Sequence, residues 1–142
     1  FGDLESLFRS VAQRQAERMA TIAQPAPLDG TLDERIAGMA AGRARMMEWI
    51  TPVRRAAVLQ EPFSPELRAA RDAIYTIGEQ YLAKVFAPEL EAMGPERADL
   101  VITALHGLLT WGAWNDLRTS GRSPEQIEAA YAAAIRALLA PT

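Results

Sequence analysis

The stretch of sequence that decides the fold is ERADLVITALHGLLTWGAWNDLRTSG, residues 96–121. Its apolar residues recur with helical spacing and, at about 100° per residue, fall on two nearly opposite sides of a helix. One side carries Val101, Ala104, Leu105, Leu108 and Gly112. The other carries Thr103, Gly107, Thr110, Ala113, Trp114 and Leu117. The pattern predicts one long helix from Pro95 to about Ser120 that is covered on both sides.

The last helix is predicted over 123–139, where Ser123 and Gln126 have the spacing of a capping box. Its surface outside one apolar stripe is rich in alanine, and small residues let helices approach closely. Two copies of the last two helices, related by a two-fold axis, would form a four-helix bundle between subunits. A monomer with the 96–121 helix at its centre is the alternative. The predicted dimer seam consists of Thr103, Gly107, Trp114, Leu117, Ile127, Tyr131, Ala134 and Leu138.

The rest of the chain also has helical spacing, without alternation of period two. Thr31 with Glu34 forms a capping box that starts the second helix, and Pro52 is expected to end it. Further helices are predicted over 4–23, 53–60 and 64–86, with a short turn or helix over 87–96. The sequence therefore predicts a single all-α domain over 1–142, a bundle of about six helices.

Composition narrows the function. The chain has 142 residues, 49% of them apolar, and a net charge of −3. Its 15 basic residues are scattered, so these residues alone are not expected to bind DNA. No apolar run approaches the roughly 20 residues of a membrane span. The absence of cysteine excludes disulfides and thiolate metal sites and fits a reducing compartment.

No pattern in the sequence is typical of an enzyme. It contains no nucleophile–base arrangement and no phosphate-binding glycine loop. The lone histidine, His106, lacks an E-x-x-H partner, which argues against a carboxylate-bridged metal centre. We therefore expect neither catalysis, nor a cofactor, nor a metal ion.

The first residues, FGDLESLF, resemble the segment that follows the helix-turn-helix domain in TetR-family transcriptional regulators, of the type F-G-(S/D)-K-E-x-L. The matching positions are Phe1, Gly2, Asp3, Glu5 and Leu7. Leu4 departs, since the family usually has lysine there. The order of elements is also similar to that family's effector-sensing domain.

The resemblance implies a linker helix over 1–23, a dimerisation pair over 95–140, and a DNA-binding domain that precedes this chain. It also implies a cytoplasmic homodimer in which a small, mostly apolar effector changes operator affinity. A structural or protein-interaction bundle without a ligand is the alternative function.

A sensing pocket should be mostly apolar with a few placed polar groups. The predicted ligand-binding residues are Met46, Met47, Trp49, Ile50, Tyr75, Gly78, Tyr81, His106, Thr110, Trp111 and Asn115. Each of them could instead be an ordinary core or surface residue. Arg43 and Arg71 fall on apolar helix stripes, where a guanidinium needs an acidic partner or must reach solvent. If either arginine faces a cavity, an anionic ligand becomes possible.

Overall fold

A computed structural model describes residues 2–142, without the side chains of Leu4, Glu5, Phe8, Arg9 and Ala12. The described residues form helices and no strand, so the all-α prediction is confirmed. The helices are α1 (Gly2–Ala23), α2 (Leu32–Gln60), α3 (Pro65–Val85), α4 (Ala87–Met93), α5 (Pro95–Leu108), α6 (Trp111–Thr119) and α7 (Pro124–Leu139). A 3₁₀ turn over Glu61–Phe63 joins α2 to α3. Phe1 and the side chain of Glu5, two of the residues that carry the family resemblance, lie outside the described part of the chain.

The helix starts follow the local signals in the sequence. At α2, the backbone N–H of Glu34 donates to the Thr31 hydroxyl at 3.2 Å, and the N–H of Thr31 donates to the Glu34 carboxylate at 2.8 Å. Ser123 and Gln126 form the same reciprocal pair at α7. Each of these bonds satisfies an N–H that has no partner within its own helix.

The predicted end of the second helix at Pro52 is wrong, because α2 continues through Pro52 to Gln60. Proline removes one backbone donor, but tertiary contacts hold the last turns in place. The Thr51 hydroxyl donates to the Met47 carbonyl at 2.7 Å and accepts from the indole N–H of Trp111 at 3.1 Å. Beyond the proline, Arg54 donates to Glu61 at 2.6 Å.

The long helix predicted over 95–120 is also corrected, because Leu109 and Thr110 divide it into α5 and α6. Thr110 has an extended backbone (φ −76°, ψ 158°) and is the N-cap of α6. Its hydroxyl accepts from the N–H of Ala113 at 3.3 Å and donates to the Gly107 carbonyl at 3.1 Å. Thr110, predicted to lie inside one long helix, therefore starts another helix.

The core forms where α2 packs along α7, with α3, α5 and α6 around them. Its largest fully buried side chains are Trp114, Phe86, Ile36, Leu82, Leu105, Ile127, Ile135 and Val85. Near this core, Arg35 of α2 donates to both carboxylate oxygens of Glu89 in α4, at 2.7 and 2.6 Å. This ion pair joins the start of α2 to the α3–α4 corner.

Burial corrects part of the predicted dimer seam. Trp114, Ile127 and Tyr131 are buried by their own chain, so they are core residues and have no surface to offer a partner. Thr103 and Gly107 are exposed on α5. Leu117, Ala134 and Leu138 are half-buried. The apolar residues on the two sides of residues 96–121 therefore have two different surroundings. Some pack against the rest of the chain, and others are exposed on α5.

Candidate ligand-binding cavity

A cavity of about 50 Å³ lies among α1, α2, α3 and the α5–α6 junction. Most of the residues predicted to bind a ligand line it: Arg43, Met46, Met47, Ile50, Arg71, Tyr75, Gly78, His106, Thr110 and Trp111. They come from segments far apart in the sequence. What brings them together is the packing of α2 against α3 and α6.

Sequence reasoning missed four wall residues: Met19, Arg54, Ile74 and Leu109. Arg54 was assigned to a separate helix after Pro52, and Leu109 lay inside the supposed long helix. Met19 has helical spacing to Val11 and Ile22, and this apolar periodicity is a signal that could have found it. Ile74 has the same kind of spacing to Ile77 and Tyr81.

Three predicted ligand residues lie away from the cavity. The Tyr81 hydroxyl oxygen accepts from the backbone N–H of Ala26 at 2.7 Å, so it fastens the segment after α1 to α3. The Asn115 side-chain oxygen accepts from Arg55 at 3.2 Å. Trp49 is half-buried against the core. The structure gives these three residues packing or linking contacts and does not place them in the cavity wall.

One side of the wall is an arginine pair held by a buried carboxylate. Glu61 accepts from Arg54 at 2.6 Å and from Arg71 at 3.2 Å. Arg71 also pairs with the exposed Asp72 at 3.0 Å. Acids outside the wall thus neutralise the guanidinium groups of Arg54 and Arg71. The anionic partner that Arg71 needs is therefore supplied by ion pairs within the chain and not by a ligand.

Aromatic rings form another part of the wall. The guanidinium of Arg54 lies 5.6 Å from the Trp111 ring centroid, and that of Arg71 lies 5.9 Å from the Tyr75 ring centroid. Tyr75 and His106 meet edge to face, with their ring centroids 5.4 Å apart. These contacts fix the rings, which gives the wall a definite shape.

Arg43 is in a different setting from the other two arginines. It forms no hydrogen bond or ion pair with any residue whose side chain the structure describes. An added Cβ at Gly78 would lie 3.6 Å from the Arg43 Nη1 atom, so the guanidinium lies beside Gly78 of α3 with room for about one methyl group between them. Burial lowers the pKa of Arg43, while the nearby Tyr131 and Tyr81 act in the opposite direction. The group still remains a cation at neutral pH.

Two polar groups of the core near Arg43 are also without partners within the described part of the chain. They are the Tyr131 hydroxyl and the indole N–H of Trp114, whose rings lie 6.3 Å apart. Burial raises the pKa of Tyr131 to about 12, and the charge of Arg43 lowers it in part. Tyr131 therefore stays protonated and able to donate.

The cavity is small and has a largely apolar wall. Its wall is apolar apart from the arginines, His106, Tyr75 and Thr110. Ordinary ligand pockets measure roughly 300–1,000 Å³, so a ligand of that size would need the wall to move. Met19, Met46 and Met47 contribute flexible, unbranched side chains that can do so. No group of three metal-ligating side chains occurs among the described residues.

A second depression, of about 360 Å³, lies on the surface between α3, α4 and α5. It carries Glu91 and Asp99, both exposed, beside small apolar residues. It does not gather the polar groups that the first cavity does.

Comparisons with protein-family models, with curated proteins and with solved structures give no match for this chain. Within residues 2–142, no helix has the length and apolar character needed to cross a bilayer.

Proposed function

We propose that this chain is the effector-sensing and dimerisation domain of a TetR-like transcriptional regulator, and that its cavity binds a small, mostly apolar molecule. One observation carries the proposal. Residues chosen from the sequence as ligand contacts, on separate helices, converge on one largely apolar cavity with a few placed polar groups. DNA binding and a cytoplasmic location belong to the proposal through the family resemblance alone.

The path from ligand to DNA would run through α1. Met19 of α1 is part of the cavity wall, so a ligand that enlarges the cavity would displace it. The end of α1 is held on α2 by Arg45, which donates to the carbonyls of Ile22 and Ala23 at 3.3 and 3.2 Å. A shift at Met19 would therefore tilt α1 about a fixed end. The ligand acts only through its different affinity for the two positions of the helix.

The proposed homodimer uses the exposed face of α5. Leu100 and Leu108 are 68% and 45% exposed, with Thr103 and Gly107 between them. Burying exposed large apolar side chains against another protein surface is favourable, so such side chains often mark an interface. A second copy would cover this row, together with the alanine-rich surface of α7.

The sensing proposal is tested by thermal unfolding in the presence of a panel of small apolar compounds. Some compounds should raise the Tm of the wild-type chain by mass action. The variant Gly78→Leu places a side chain at the cavity wall and should abolish these shifts. Glu79→Leu changes the exposed neighbour on the same helix and should retain them. If no compound shifts the wild type, or if both variants behave alike, the cavity is not a binding site and a ligand-free structural bundle becomes the better interpretation.

A further inference from the structure

The charges around the cavity do not balance. Its wall contains three arginines, Arg43, Arg54 and Arg71, and none of the lining residues is acidic. Glu61, from outside the wall, serves both Arg54 and Arg71, and Asp72 takes a second bond from Arg71. Glu61 and Asp72 are therefore committed to Arg54 and Arg71.

Arg43 is left without a described anionic partner, although it is half-buried in the wall and burial lowers its pKa. Its neighbours in the wall are Met46, Met47 and Gly78. A cation among such groups loses part of its hydration. Only an opposite charge or strong hydrogen-bond acceptors can compensate for that loss. The hydroxyls of Tyr81 and Tyr131 lie nearby but form no described bond with it.

We propose that Arg43 anchors the acidic head group of the effector, so that the ligand of this cavity is an apolar carboxylic acid. This inference rests on the proposed function, because it assigns the chemical class of ligand to the same cavity. A guanidinium offers two parallel N–H groups that match the two oxygens of a carboxylate. The apolar part of the ligand would lie against Met46, Met47 and Ile50, where the methionines can adapt to chains of different length.

Glycine at position 78 favours this arrangement. Helix α3 contains Gly78 in its interior, where glycine is less favourable than alanine by about 1 kcal/mol. Its missing side chain leaves the Arg43 guanidinium beside the cavity with room to turn toward a ligand. The glycine and the arginine thus form one feature, a cation beside a position without a side chain, at the edge of an apolar space.

The test is titration calorimetry with straight-chain carboxylates of about 4 to 10 carbons and the alcohols of the same chain length. The wild-type chain should bind the carboxylate at least tenfold more tightly than the matched alcohol. Arg43→Met should remove this preference and leave the affinity for the alcohol within about twofold. Arg55→Met removes an exposed arginine of the same helix and should leave both affinities unchanged.

A second readout does not depend on Arg43→Met folding. In the wild type, the side-chain Nε–H resonance of Arg43 should shift on addition of the carboxylate and not of the alcohol. Arg43→Lys, which keeps the charge but loses the paired donors, should retain a reduced preference.

The failures of the two proposals can be told apart. If wild type binds alcohol and carboxylate equally, or if Arg43→Met retains the preference, the anchor role is wrong and the cavity remains a sensing site. If the chain binds neither series and no other apolar compound, the sensing function and the anchor role are wrong together.

Discussion

Arg35 and Arg43 lie about two turns apart on α2, and their surroundings differ. Arg35 is buried and fully partnered: it donates to Glu89 at 2.6 and 2.7 Å, to the Val85 carbonyl at 2.8 Å and to the Gly30 carbonyl at 3.1 Å. Arg43 has no partner among the described side chains. The first arginine joins helices, and the donors of the second are the ones that we propose bind the ligand.

Replacing Arg43 by Met should raise the stability of the ligand-free chain. The substitution removes a desolvated charge and keeps a flexible, unbranched side chain in the wall. A gain of about 1 kcal/mol corresponds to about 3 °C in Tm for a domain of this size. Differential scanning calorimetry measures it.

Arg71→Met is the matched control for that measurement. It should lower Tm, because Glu61 is buried and would lose one of its partners. A loss of stability in Arg43→Met as large as that in Arg71→Met would contradict the prediction, since it would mean that the Arg43 guanidinium is satisfied within the chain.

At the residue scale, the sequence predicted much of the cavity wall because helical periodicity shows which residues share a face. It could not distinguish Arg43 from Arg71. Both fall on apolar stripes, and only the fold brings Glu61 to Arg71. Tyr81 was misassigned for the same reason, since its partner is the backbone of Ala26, 55 positions away.

At the scale of elements, α2 and the chain leaving α1 approach each other closely. Gly42 is buried, and an added Cβ would lie deep inside the contact distance of the Ala23 carbonyl oxygen. A Cβ added at Gly38, one turn earlier, would lie 3.0 to 3.3 Å from atoms of Ala26 and Pro27. Glycines four residues apart on α2 therefore let the segment Ala23–Pro27 lie directly on the helix.

Gly42→Ala should destabilise the domain by about 2 kcal/mol, because a backbone carbonyl must move to admit the methyl group. Gly112→Ala is the control: the nearest atom to its Cβ would be the Thr110 hydroxyl at 3.9 Å, and better helix propensity should make it neutral or slightly stabilising. Urea unfolding measures both variants. Equal stabilities of Gly42→Ala and wild type would show that the two segments do not touch as described.

The Arg35–Glu89 pair predicts how stability depends on pH. The hydrogen bond from Arg35 lowers the pKa of Glu89 below its usual value of 4.5. A carboxyl group with a lowered folded pKa stabilises the fold above its unfolded pKa, and this contribution is lost as the pH falls through the folded value. Between pH 7 and pH 5 the contribution should be constant, and below about pH 4.5 it should fall.

Glu89→Gln should lower the stability at neutral pH by about 3 kcal/mol, because it leaves Arg35 buried without its charge partner. It should also flatten the dependence of Tm on pH in the acid range. Glu91→Gln changes an exposed carboxylate of the same helix and should preserve the wild-type profile. A profile for Glu89→Gln as steep as that of the wild type would place the acid sensitivity elsewhere.

The sequence predicted where helices begin better than where they end. Capping residues act through bonds within four positions, so the starts of α2, α3 and α7 are local features. Pro52 and Thr110 are ambiguous locally: a proline can end a helix or kink it, and a threonine can be interior or a cap. The bonds from Trp111 to Thr51 and from Arg54 to Glu61 come from tertiary packing and from the turn after α2, which periodicity does not describe.

At the scale of the whole molecule, α5 separates the cavity from the proposed seam. His106 of α5 lines the cavity, whereas Leu100 and Leu108 are exposed elsewhere on the same helix. A change of packing at His106 would therefore move α5, and with it the surface that we propose contacts a second copy. Through α5 alone, ligand binding would be coupled to the geometry of a dimer.

The dimer is tested by placing charge on the exposed row. Wild type should have twice the monomer mass of 15.5 kDa by light scattering. Leu100→Glu combined with Leu108→Glu should yield the monomer, because four carboxylates would meet at a two-fold seam without solvation. Leu59→Glu changes a leucine that is 71% exposed at the end of α2 and should remain dimeric.

The double variant should still bind compounds in the cavity, since both leucines lie outside its wall. A wild type that stays at 15.5 kDa at every concentration would mean that the row on α5 is not a seam between copies of this chain.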